Sequence, residues 1–177
     1  MRLTRRQILA GLALTASPLR AAGNVPPAAS LVRPVDRPRD VSALKIKDED
    51  GNTVSLTDWK GRWRLVNMWS PWCLPCQREM PSLMRLSRAL DPAKTLVLPL
   101  AFDWRGPVWV RKFYRDEGIT GLPVLMGDGE NAHAVLGLSN LPSTAVITPL
   151  GQLVQTVEGE ATWDDPATLA WLGGLSA

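Results

Sequence analysis

The chain has little of what metal centres are built from. It holds one histidine, His133, and two cysteines in 177 residues. A Cys-x-x-Cys pair could supply half of a four-ligand zinc site, but no second Cys or His pair exists to complete it. The same poverty counts against a copper carrier, which would set a His beside its thiols. His133, next to Ala132, Val135 and Leu136, reads as a solvated or core-edge residue. No apolar run approaches the roughly 20 residues of a membrane-spanning helix, and no internal repeat is found. The first 22 residues contain no acid but carry Arg2, Arg5, Arg6 and Arg20. Setting these four aside turns the formal charge of +3 into −1, from 16 basic and 17 acidic residues. Nothing then favours nucleic acid or an anionic membrane surface as a partner. A hydrophobic content of 45% suffices for one compact core.

Residues 1–22 read as a targeting segment, with a basic start, a short apolar run from Ile8 to Ala16 and then small residues. Thr4-Arg5-Arg6-Gln7-Ile8-Leu9 resembles a twin-arginine export signal. Cleavage after Ala22 would place Arg20 third from the cut, against the usual small-x-small pattern. Removal and retention as an N-terminal membrane anchor therefore both stay open. Residues 23–40, with Pro26, Pro27, Pro34 and Pro38, read as a Pro-rich extended linker. Residues 41–177 are then the folded domain.

The informative stretch is Trp69-Ser-Pro-Trp72-Cys73-Leu-Pro75-Cys76-Gln-Arg-Glu79-Met-Pro81. The apolar run Leu65 to Trp69 before it reads as a buried strand. After it, Cys76, Met80, Leu83, Leu86 and Leu90 fall near one helical face. The thiols therefore sit where a strand hands over to a helix. Unpaired N–H groups and the positive dipole end favour a thiolate at Cys73, the expected nucleophile. Cys76, one turn inward, is close enough to form a disulfide and is the expected resolving thiol. Pro75 suits the first turn, whereas Pro81 must interrupt the hydrogen-bond ladder. In an oxidising compartment the pair could instead be a structural bridge, but one enclosing two residues would constrain the unfolded chain weakly.

These residues resemble the active site of the thioredoxin superfamily, and more narrowly of its exported TlpA/ResA-like branch of thiol-disulfide oxidoreductases. The segments Ile119 to Gly129 and Gly137 to Thr148 are similar to the branch's later strand and proline segments, in the same order. The resemblance implies a cis-proline at Leu141-Pro142, facing the disulfide and offering the Leu141 backbone to a substrate strand. It implies that Trp72 greets the partner, while Trp69 is expected in the core. Asn67 stands where cytosolic thioredoxins have a buried aspartate. Glu79 is thus the carboxylate left to accept the proton of Cys76, unless it is merely an exposed helix glutamate.

The implied activity is exchange of disulfides with exported proteins, without cofactor or metal. The implied role is reduction of apocytochrome c or copper-site cysteines in the periplasm, recharged by a membrane electron donor. Two rivals share the residues: a Cu(I) metallochaperone and a thiol peroxidase. The second would need a lone peroxidatic cysteine in a Pro-x-x-x-[Ser/Thr]-x-x-Cys setting that Trp69-Ser-Pro-Trp-Cys73 does not reproduce.

Around the motif, Leu44 to Ile46 and Thr53 to Leu56 predict a hairpin across Asp48 to Asn52, followed by a turn at Thr57 to Gly61. Strands are expected at 64–68, 96–101, 124–126, 143–148 and 153–158. Helices are expected to about Leu90, over 108–117, over 130–136, and from Asp165-Pro166 to near Gly173. Alternating strands and helices ending in a hairpin give an α/β fold. With the resemblance, this is a thioredoxin-like three-layer sandwich whose mixed central sheet is flanked by helices, with an N-terminal β-hairpin.

Overall fold

The computed structural model describes residues 25–175. The expected targeting segment lies outside the described residues. The chain enters through a single helical turn, α1 (Ala28–Leu31), and a long strand, β1 (Val32–Asp40). Next come the short hairpin β2 (Ile46–Lys47) and β3 (Thr53–Val54) and a 3-10 turn over Leu56–Trp59, capped by Ser55 and Asp58. The core unit is β4 (Trp63–Trp69), α2 (Leu74–Ala89) and β5 (Thr95–Ala101). It is followed by α3 (Pro107–Asp116), β6 (Leu125–Gly127) and α4 (Gly129–Leu136). The chain closes with β7 (Ser143–Ile147), β8 (Gln152–Glu158) and α5 (Pro166–Leu175).

Eight strands form one mixed sheet in the order β1-β8-β7-β4-β5-β6-β2-β3. The central strands β4, β5 and β6 run parallel, as helical crossovers require, while β7, β8 and β1 are antiparallel neighbours. Alternation along β4 divides the core. Leu65 and Trp69 pack with Met80, Leu83 and Leu86 of α2, Phe113 of α3 and Leu172 of α5. Val66 and Met68 pack on the opposite face with Ala132 and Leu136 of α4 and Leu56. Helices thus cover both faces, which makes three layers. Among the described residues no helix is long and apolar enough to cross a membrane.

Two expectations are corrected. The stretch read as a Pro-rich linker, 23–40, is tied to the fold from Val25 onward: the Val25 and Pro26 carbonyls accept from Thr162; Val32, Arg33 and Pro34 pair with Val157, Thr156 and Gln155 of β8; and Arg39 and Asp40 pair with Leu153 and Gln152. The prolines are tolerated because β1 is an edge strand, and the register shift between Pro34 and Arg39 carries Pro38 through a bulge. The segment read as a plain turn after the hairpin is a 3-10 helix. Its carbonyls at Leu56 and Trp59 accept from the buried guanidinium of Arg64, which also reaches Thr148 O. Pro81 leaves α2 continuous to Ala89.

Candidate active site

The carboxyl ends of β4 and β5 and the start of β7 lie at one end of the sheet. Pairing of Met68 with Ser143 puts Leu141-Pro142 just past that end, beside the loop that leaves Trp69 for Cys73. Cys73 caps α2. Its N–H donates to Ser70 O at 3.1 Å, and its carbonyl accepts from Gln77 N–H at 3.0 Å. Its Sγ accepts the Cys76 N–H at 3.4 Å, so an unpaired donor of the helix start is aimed at the outer sulfur. Gln77 ties the loop down by donating to Pro71 O at 2.7 Å.

Cys73 and Cys76 are joined in a disulfide with Cα atoms 5.2 Å apart. The outer residue keeps 7% of its surface and the inner one none. Trp72 stands out at 59% exposure, and Trp69 is fully buried, stacked on Tyr114 at 5.7 Å and tilted against Phe113 at 5.2 Å. The Leu141-Pro142 peptide bond is cis.

Glu79 is not an exposed helix glutamate. Only 2% of it is accessible. Its Oε1 accepts from Asn67 Nδ2 at 2.8 Å. Its Oε2 accepts from Ala161 N–H at 3.2 Å and Trp163 Nε1–H at 3.4 Å. Burial pushes its pKa up to about 7, and these three donors, by favouring the carboxylate, hold it from going further. Asn67 therefore serves the buried carboxylate. It also donates to Thr144 Oγ1 at 3.0 Å.

The roof over Glu79 is the loop after β8. Ion pairs Arg78–Glu160 and Arg85–Asp164 pin it to α2, and Ser82 Oγ accepts from Trp163 N–H. Pro27 bridges to Thr162, where Ala28 N–H donates to Thr162 O and Thr162 N–H donates to Pro26 O. Sequence reasoning found Glu79 but not Ala161, Ser82 or Trp163, because contacts about 80 residues apart leave no local pattern. His133 is exposed on α4, the helix that packs on the face of the sheet opposite the two cysteines. Among the described residues no group of three or more His, Cys, Asp or Glu side chains is placed to hold a metal ion.

The family described as AhpC/TSA matches residues 39–156. The chain belongs to the AhpC/TSA family. Among curated proteins, this AhpC/TSA chain is similar to the thiol-disulfide oxidoreductase ResA of Bacillus thuringiensis (strain Al Hakam), 28% identical over 117 residues, which is 66% of each chain. It is similar also to ResA of Geobacillus thermodenitrificans (strain NG80-2), 31% identical over 121 residues and 68% of each chain. The match to the first of these spans just under two thirds of that relative's length. Among solved structures, the exposed lipoprotein thioredoxin Etrx1 of Streptococcus pneumoniae superposes with a TM-score of 0.62 at 24% identity. That superposition covers 74% of this chain and 98% of the other. It bears on the fold alone. The resemblance to ResA-like thiol-disulfide oxidoreductases and the thioredoxin-like three-layer fold are thereby borne out.

Proposed function

We propose that this AhpC/TSA chain is a thiol:disulfide oxidoreductase that exchanges disulfides with other proteins through Cys73 and Cys76. The observation that carries the reading is the asymmetry of the pair. One sulfur caps a helix and its residue keeps a sliver of exposure, and its partner is sealed one turn below, three residues before a buried carboxylate of the same helix poised near neutrality. In the reduced enzyme the Cys73 thiolate attacks a sulfur of the partner's disulfide. A Cys73–partner bond forms and the partner's second sulfur leaves as a thiolate, which takes up a proton. Cys76 then passes its proton to Glu79 and attacks Cys73 Sγ. This closes the enzyme disulfide and releases the partner's remaining sulfur, so two electrons have passed to the partner. Trp72 and the Leu141 backbone beside Pro142 receive the partner chain by strand addition.

The finer reading is a reductant in the periplasm, delivered by a twin-arginine signal and either freed or held by its N-terminal segment. Its partners would be apocytochrome c or copper-site cysteines, and a membrane dithiol donor would recharge it. The experiment that tests the exchange is Cys76→Ala in the native host compartment. It should accumulate a Cys73-linked mixed disulfide, releasable by reductant, whose partner is then identified. Absence of any adduct, while Cys73 still alkylates readily, would refute the mechanism. Parallel assays separate the rivals: tight Cu(I) binding without insulin reduction favours the metallochaperone, and peroxide turnover favours the peroxidase.

A further inference from the structure

Seven large apolar side chains are exposed among the described residues, and five of them belong to two short segments at the disulfide end. Trp72 and Leu74 flank Cys73. Trp104, Val108 and Trp109 lie at the entry to α3, with Trp104 at 90% exposure and Trp109 at 39%. A groove of about 320 Å³ runs between the segments, lined by Pro71 and Trp72 from the loop and by Arg105, Trp109 and Phe113 from the other side. Exposed apolar surface gathered this way is costly in water and marks a contact site.

The groove is built rather than accidental. Asp103, with its side chain fully buried, accepts from Arg105 through two bonds, Nε to Oδ1 at 3.0 Å and Nη2 to Oδ2 at 2.8 Å. That grip sets the guanidinium over Trp109, 4.0 Å from the ring centroid. Gly106 makes the sharp turn before Pro107 with φ of 79°, a conformation that a side chain would strain. Its N–H closes the turn on Asp103 O at 3.0 Å. Trp109 is therefore held in place before any partner arrives, which lowers the ordering cost of binding.

We propose that this groove is the docking subsite for an uncharged aromatic side chain lying next to the cysteine of the disulfide partner. The inference rests on the oxidoreductase reading above and deepens it. Two observations choose the occupant. The groove is walled by Pro71 and Trp72, the residues that lead into Cys73, so it lies within reach of a residue beside the cysteine of a chain bonded to Cys73 while the backbone of that chain pairs at Leu141. Its charges are already paired, Arg105 with Asp103 and Lys112 with Asp116, so it offers a charged side chain no counter-ion. What remains is indole and phenyl surface, which favours a flat ring.

The test uses the full chain, reduced and freed of reductant. It is mixed with the disulfide-linked dimer of a short peptide carrying phenylalanine beside its cysteine, or with matched peptides carrying glycine or glutamate there. In each reaction one peptide disulfide becomes two peptide thiols as the Cys73–Cys76 bond closes. The phenylalanine peptide should react about tenfold faster than the glycine peptide, the scale of one added apolar contact. Trp109→Ala should bring that ratio close to one, and Trp109→Phe should restore most of it. A phenylalanine peptide with serine in place of cysteine should slow the wild-type reaction, which tests the groove without any substitution. Equal rates for the phenylalanine and glycine peptides, or fastest reaction with glutamate, would overturn the subsite. Failure to exchange with every peptide and with hydroxyethyl disulfide would instead sink the oxidoreductase reading beneath it.

Discussion

Glu79→Gln should change how stability depends on pH more than it changes stability itself. In the folded, oxidised protein the carboxyl titrates near 7 because it is buried, against 4.5 for the ordinary group. At 1.36 kcal/mol per pH unit, that rise corresponds to about 3 kcal/mol. The folded state binds this proton more tightly than the unfolded chain does. The cost is therefore absent below about pH 4.5, grows as pH rises to about 7, and is complete above that. Glutamine cannot ionise and escapes the cost, but it brings a local one. Its Nε2–H₂ must face either Asn67 Nδ2 or the Ala161 and Trp163 N–H groups, all donors, and such a mismatch costs about 1–3 kcal/mol. The variant should therefore be less stable than the wild type at pH 4.5 and should gain on it steadily, matching or passing it by pH 8. Guanidinium midpoints of both oxidised proteins, taken at half-unit steps, measure the difference, and groups common to both cancel. Parallel pH curves would show that Glu79 carries no raised pKa and would remove the reason to assign it the proton of Cys76.

Asn67→Leu removes the nearest donor to the Glu79 carboxylate and should push that group's titration above 7, moving the fall in stability to higher pH; an unmoved midpoint would contradict the hydrogen bond as its support. Trp69→Ala deletes a fully buried ring stacked on Tyr114 and should cost about 3–5 kcal/mol in a guanidinium melt, whereas Trp72→Ala, at the surface, should stay within about 0.5 kcal/mol. Arg64→Met strips the Leu56, Trp59 and Thr148 carbonyls of their buried donor, and an unfolding midpoint equal to wild type would show that those bonds contribute nothing net.

What could be read from the chain followed how local each cause is. The α2 start at Cys73, the hairpin across Asp48 to Asn52 and the Asp165 cap of α5 rest on residues within a few positions of one another, and they stand where expected. β1 could not be read, because Pro34, Pro38 and its charges argue against a strand until β8 is there to pair with one side of it. The burial of Glu79 was equally hidden. A glutamate at that spacing on a helix looks solvated, and it is the loop from Gly159 to Trp163, brought over it by the sheet, that shuts water out. Trp109 and Phe113 were legible as a helical pair, but only the tertiary structure separates their duties, since Phe113 enters the core while Trp109 keeps a face in solvent.

The entry of the chain into the fold matters to anyone shortening it. Starting at Val41 looks harmless by composition, since everything before it is rich in proline and charge. Such a truncation would bare the outer edge of β8 to any passing strand. It would also cut the stitches from Pro26 and Ala28 to Thr162, next door to the amide that grips the sunken carboxylate. A trimmed protein would keep both sulfurs but would hold the lid on its proton store by the ties to α2 alone.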